Sequence, residues 1–127
     1  MSSQWPAEDE LAERLQVIRV AAQHLVGVNL YEHALVDLLQ LLQSDRLPYS
    51  TAVDALLQQA RSWDWGAVEV LEFSMRSLQW PEVREALVAH VAHGDDFRTR
   101  DLAQQVLHVY EPAWPGGEIY RTYRSQS

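Results

Sequence analysis

An all-α single domain of about six helices is what this 127-residue sequence predicts, and three observations carry that expectation. Apolar residues recur at spacings of three and four through most of the chain, and no segment shows a convincing two-residue alternation. The intervals between these stripes are short and hold Pro, Gly or Asp, so chain neighbours are expected to form antiparallel helix hairpins. A chain of this length also buries most of its apolar surface without a disulfide or a metal.

Residues 1–7 form a polar lead, and a first helix is predicted over 8–28, where Leu11, Leu15, Ile18, Ala22 and Leu25 line one face. Glu8, Asp9 and Glu10 fall in its first turn, where the unpaired N–H groups favour carboxylates. A second helix over 30–44 carries Tyr31, Leu35, Leu38 and Leu42. Ala34, Val36, Leu39 and Leu41 widen its stripe so far that it must be covered on more than one side, which makes it central.

The stretch SDRLPYS breaks the periodicity, and Pro48 opens a third helix over 48–61 with Val53, Leu56, Leu57 and Ala60 inward. SWDWG ends it. A fourth helix over 65–79 presents Val68, Leu71, Met75 and Leu78. A fifth over 81–93, opened by Pro81 and closed by Gly94, presents Val83, Leu87 and Val91; a sixth over 96–110 presents Ala103, Val106, Leu107 and Tyr110. The tail, 111–127, has Pro112, Pro115 and a Gly pair before an aromatic and basic cluster, and is expected to pack back over the last helices.

Composition narrows function. There is no Cys, which closes thiol catalysis, Cys-based zinc sites and a disulfide framework, and fits a reducing compartment. The opening MSSQWPAEDE lacks the basic and apolar regions of a signal peptide, and no run reaches the roughly 18 uncharged apolar residues that a membrane helix needs. A cytoplasmic chain with no membrane partner is the expectation. Ten basic residues, every one Arg, face eighteen acids for a net charge of −8, which disfavours nucleic acid and favours a basic partner.

Residues that could carry chemistry have structural readings beside the functional ones. His90 and His93 lie three apart before Asp95 and Asp96, a spacing that permits a metal pair, yet no Glu of a metalloprotease motif and no third ligand accompanies them. Histidines near a helix C-terminus also interact favourably with its dipole, so no metal and no cofactor are predicted. Glu69 and Glu72 share a helix face, but Glu72 also stands four residues before Arg76, the spacing of a solvated helix pair. Asp64 and Asp95 or Asp96 stand at helix starts, where capping accounts for them. There is no phosphate loop and no nucleophile elbow, so no enzyme is expected. Trp65 and Trp80 read as core, whereas Trp63, Trp114, Tyr120 and Tyr123 fall in turn and tail segments, where charge-flanked aromatics serve as interface anchors.

Two resemblances follow from the second half. WPEVREALV and DDFRTRDLAQQVL each set an Arg, Arg84 and Arg100, early in a helix after a Pro or Asp. Over residues 64–110 this resembles HEAT-like repeats, whose Asp and Arg residues link neighbouring helix pairs in a short stacked array. That resemblance implies a structural ladder through Arg84 and Arg100. Glu72-Phe73, Trp80-Pro81-Glu82-Val83-Arg84, Arg98, Arg100 and the ending with Trp114, Tyr120 and Tyr123 are similar to small helical immunity proteins encoded beside bacterial polymorphic toxins. WPGG stands around Trp114 where acids would be usual.

The second resemblance implies that the chain binds and neutralises one cognate toxin protein, such as a basic nuclease, by occluding its active site or substrate surface. The residues expected to meet the toxin are Glu69, Glu72, Asp95, Asp96 and Glu118 for charge, with Trp63, Trp114 and Tyr120 as anchors. A monomer or weak homodimer is expected. The competing expectation is a HEAT-like adaptor that joins partners in an assembly without any toxin.

Overall fold

The computed structural model describes residues 6–24 and 27–124. Leu25 of the first apolar stripe, and the ends 1–5 and 125–127, lie outside the described residues. Six longer helices follow one another: α1 (Pro6–Gln23), α2 (Val28–Gln43), α3 (Tyr49–Ser62), α4 (Ala67–Leu78), α5 (Pro81–His93) and α6 (Phe97–Leu107). The tail adds 3-10 turns at His108–Tyr110 and Pro115–Ile119 and a four-residue helix, α7 (Arg121–Arg124). The protein is all-α, with no strand among the described residues.

Pairing follows chain order: α1 packs on α2, α3 on α4 and α5 on α6. Successive pairs then meet through α2 with α4, α3 with α5, and α4 with α6. Each pair buries one apolar face against the next, the arrangement that lets a helix hairpin with a two-sided stripe become core. Ile18, Leu35, Leu38, Leu56, Leu71, Phe73, Met75 and Leu87 are fully buried across these contacts. The wide stripe of α2 is accounted for, since Leu35, Leu38, Leu39, Leu41 and Leu42 are all buried.

The ends of α3 and α4 are set by left-handed residues that are not glycine. Trp63 (φ 48°) caps α3 and Gln79 (φ 54°) caps α4. Such a conformation costs about 1–2 kcal/mol per residue, so each needs compensation. Gln79 is held because its side-chain amide donates to the carbonyls of Met75 (2.8 Å) and Val109 (2.9 Å). Trp63 is held by burial of its ring.

The ladder through Arg84 and Arg100 is not formed. Both side chains are exposed, and neither guanidinium hydrogen-bonds a described residue. Arg76 on α4 does the bridging instead. Its guanidinium donates to the carbonyls of Val109 (3.0 Å), Glu111 (2.6 Å) and Pro112 (3.1 Å), where the chain leaves α6 and its carbonyls lose their helical N–H donors. The expected Glu72–Arg76 surface pair is therefore absent, because Arg76 turns toward these carbonyls.

The tail is fastened over α2 and α4. Glu32, 5% exposed, accepts hydrogen bonds from the backbone N–H groups of Arg121 (2.8 Å) and Thr122 (2.8 Å) and from the Thr122 hydroxyl (2.7 Å). A carboxylate distant in sequence thus satisfies the first turn of α7. Tyr120 and Tyr123 pack edge-on against Phe73, and the Tyr123 hydroxyl meets the Phe73 carbonyl and the Ser77 hydroxyl.

Candidate functional site: the groove between α4 and α6

On α4, Glu69 and Glu72 are three residues apart, so both point to one side of the helix. Arg98, Leu102 and Gln105 on α6, at intervals of four and three, face that side. Two open pockets that share no lining residue lie along this side, extending on α6 from Arg98 to Gln105, roughly 10 Å at the helical rise, and are together termed the groove. At one end it is bounded by Trp63, Trp65 and Arg98. At the other, Gln105, His108, Trp114, Ile119 and Tyr120 surround Glu72 in a cavity of about 530 Å³.

The WDWG turn builds the first end. Its left-handed cap at Trp63 and the left-handed Gly66 (φ 80°) reverse the chain within four residues. A Cβ on Gly66 would come within 2.9 Å of the Ile18 side chain, so the close approach to α1 requires glycine there. The Asp64 carboxylate accepts from the Trp65 N–H at 2.9 Å and pairs with Arg19, so it organises this turn rather than capping α4. The consequence reverses the expectation for the two indoles: Trp63 is 5% exposed and core, and Trp65 is 56% exposed at the groove mouth.

Two glycines build the other end. A Cβ on Gly117 would meet the Trp114 ring at 2.6 Å and one on Gly116 would meet it at 3.0 Å, so WPGG is the backbone that can fold over an indole. With one face covered by this loop, Trp114 is half-buried, approaches Tyr123 edge-on at 5.7 Å and lines the cavity. Ile119, 58% exposed, forms the rim.

The electrostatics follow burial. Desolvation between α4 and α6 pushes the Glu72 carboxyl up to about 7, aided by the negative charge of Glu69; the Gln105 amide (3.4 Å) and His108 act against it. The Tyr31 hydroxyl donates to Glu69 at 3.3 Å, and burial with the Glu69 charge raises the Tyr31 phenol far above its ordinary value. Tyr120 is raised in the same sense by burial and by Glu69 and Glu72. The groove thus combines two carboxylates, one of them poorly solvated, with aromatic walls.

Of the residues singled out by sequence, the groove gathers Glu69, Glu72, Trp63, Trp114 and Tyr120. Trp63 and Tyr120 (2% exposed) do so as buried supports, which corrects their reading as exposed anchors: their rings are spent on the core. Asp95 and Asp96 are exposed at the turn before α6, where Asp96 accepts from the Thr99 N–H at 2.7 Å as an N-cap. Glu118 is exposed beside Ile119, with its carbonyl accepting from Arg124 at 3.1 Å. Trp65, Ile119 and Gln105 were not picked out as site residues by sequence. Only Gln105 had a signal, its i, i+4, i+7 spacing with Arg98 and Leu102 on α6 opposite the acidic pair, legible once the two helices are known to be neighbours.

No His, Asp and Glu grouping among the described residues could hold a metal ion. Nor is any helix among them long and apolar enough to cross a membrane. Compared with protein-family models, curated proteins and solved structures, the chain matches none.

Proposed function

We propose that the α4–α6 groove is a protein-binding surface, and that the chain acts as a cytoplasmic immunity protein that neutralises a basic toxin domain. One observation carries this reading. Glu69 lies beside exposed Trp65 at one end of the groove, and Glu72 lies beside Trp114 and exposed Ile119 at the other. Exposed apolar anchors around poorly solvated charge are the composition of an interface centre, and a net charge of −8 steers a basic partner toward it. The resemblance of the second half to immunity proteins supports the choice of partner.

A chemical role for the groove has less support. Glu72 has a raised carboxyl, but Gln105 is its hydrogen-bond partner, and a general acid needs a second group placed to complete the reaction. The paired helices would equally suit an adaptor, and genetics separates the two readings. Co-expression with the product of the adjacent gene should restore growth and give a one-to-one complex on co-purification. Rescue from that product and from no unrelated toxin supports immunity; absence of toxicity or of a complex refutes it in favour of the adaptor.

A further inference from the structure

We infer that the cavity at the tail end of the groove receives one arginine side chain of the protein partner, its guanidinium stacked on Trp114 and paired with the carboxylate of Glu72. This deepens the reading of the groove as a protein interface and rests on it. The cavity is formed by three elements: Glu72 from α4, Gln105 from α6, and Trp114 with Ile119 from the tail. Its volume of about 530 Å³ admits a long side chain.

Three features select arginine. Glu72 is half-buried and its only side-chain hydrogen bond among the described residues is the long one from Gln105 (3.4 Å), so a carboxylate there has acceptor positions to offer. Trp114 has one face covered by Gly116 and Gly117 and also approaches the rings of Tyr120 (6.4 Å) and Tyr123 (5.7 Å), and the part of the indole that lines the cavity is where a planar cation can stack. The apolar rim at Ile119 can cover an aliphatic stem. A guanidinium is planar, weakly hydrated and forked, so it satisfies the carboxylate and the ring together better than an ammonium does. Glu69 adds negative charge from the same helix, which favours a cation and disfavours an acidic occupant.

The charge state of Glu72 gives the arrangement a pH signature. The groups around it are Glu69 from α4, His108 and the neutral Gln105 from the α6 side, and Tyr120 from the tail. A guanidinium binds the ionised carboxylate, so occupancy expels the proton that Glu72 otherwise holds near neutrality. Affinity is therefore expected to fall about tenfold for each pH unit below the Glu72 midpoint.

The probe is N-acetyl-arginine methylamide, with the citrulline analogue as its neutral isostere, titrated into the full chain while the Trp114 indole N–H is followed by NMR. A saturable shift with the arginine probe, at least about tenfold weaker with citrulline and with Glu72→Gln, is the expected result. A His108→Gln variant should keep the tenfold-per-unit slope with its midpoint moved up, because the His108 charge that opposes the Glu72 shift is gone, and this assigns the slope to Glu72. Equal shifts from both probes, unchanged binding by Glu72→Gln in a variant that melts cooperatively, or no shift at Trp114 overturns the assignment. This titration needs no partner, so its failure removes the arginine pocket alone, whereas failed rescue on co-expression removes the immunity reading alone.

Discussion

Replacing Glu32 with Ala should release the tail that walls the groove. The carboxylate is buried and accepts three hydrogen bonds, at 2.8, 2.8 and 2.7 Å, from the first turn of α7. Each hydrogen bond to a charged group contributes about 1.5–3 kcal/mol, but Arg121 and Thr122 are exposed and regain water when the carboxylate is gone. The net loss is therefore about 2–3 kcal/mol, below the sum of the three. For a chain of this length that corresponds to a fall in Tm of about 8–15 °C, read by circular dichroism at 222 nm. Trp114 fluorescence should move to the red at the same time, because Tyr120 and Tyr123 lose their seat against Phe73.

The same carboxylate sets an acid dependence. Burial pushes Glu32 up, but the hydrogen bonds from Thr122 and Arg121, with the Arg121 charge, outweigh it and hold the carboxyl below its ordinary 4.5. A depressed folded value means that the unfolded chain takes the proton first. The stabilisation is thus complete above about pH 5 and is lost as pH falls through 4.5 and below. Glu32→Ala should flatten that part of the acid limb. A Tm within 2–3 °C of the parent, or an unchanged acid limb, would refute the latch.

Further perturbations separate the core, the groove and its rim. Glu72 has the opposite sign: its carboxyl is raised from 4.5 to about 7, so ionising it costs stability as pH rises through that interval. Glu72→Gln should stabilise the fold at pH 8 by about 1–2 kcal/mol, below the ceiling of about 3 that the shift implies, and the gain should vanish near pH 4.5 in thermal melts. Arg76→Met should lose about 1–2 kcal/mol by removing the donor to the Glu111 and Pro112 carbonyls, the Val109 carbonyl keeping Gln79, whereas Arg84→Ala and Arg100→Ala should each stay within about 0.5 kcal/mol in urea titrations. Gly117→Ala should cost about 1–3 kcal/mol and displace the Trp114 ring, seen as a changed near-ultraviolet dichroism band. Trp63→Ala should lose about 3–5 kcal/mol, and Trp65→Ala should leave the melt nearly unchanged while weakening the complex.

The helices were legible in the sequence because stripes such as Leu35, Leu38 and Leu42 or Leu71 and Met75 report one period over several turns. Pro81 and Gly94 marked ends because each acts on its own backbone. The site was legible only in part. Glu69 and Glu72 share a face by spacing, and the tail aromatics stood out by composition, so four of the groove's features were visible without knowing that they meet. Which indole of WDWG turns inward depends on the left-handed geometry at Trp63 and on the contact of Gly66 with Ile18, a residue far away in the chain. The role of Arg76 was hidden for a similar reason. Its carbonyl partners lie more than thirty residues onward, and the nearer Glu72 offered a simpler local pairing.

Rescue with variants that leave the fold alone decides whether the α4–α6 groove holds the proposed toxin. Trp65 and Ile119 are exposed at the two ends of the groove, and Val88 is exposed on α5, which does not line it. In cells expressing the adjacent gene's product, the parent chain and Val88→Ser should restore growth, and a Trp65→Ser, Ile119→Asp double variant with a parental melting curve should not. Equal rescue by the double variant would contradict the claim.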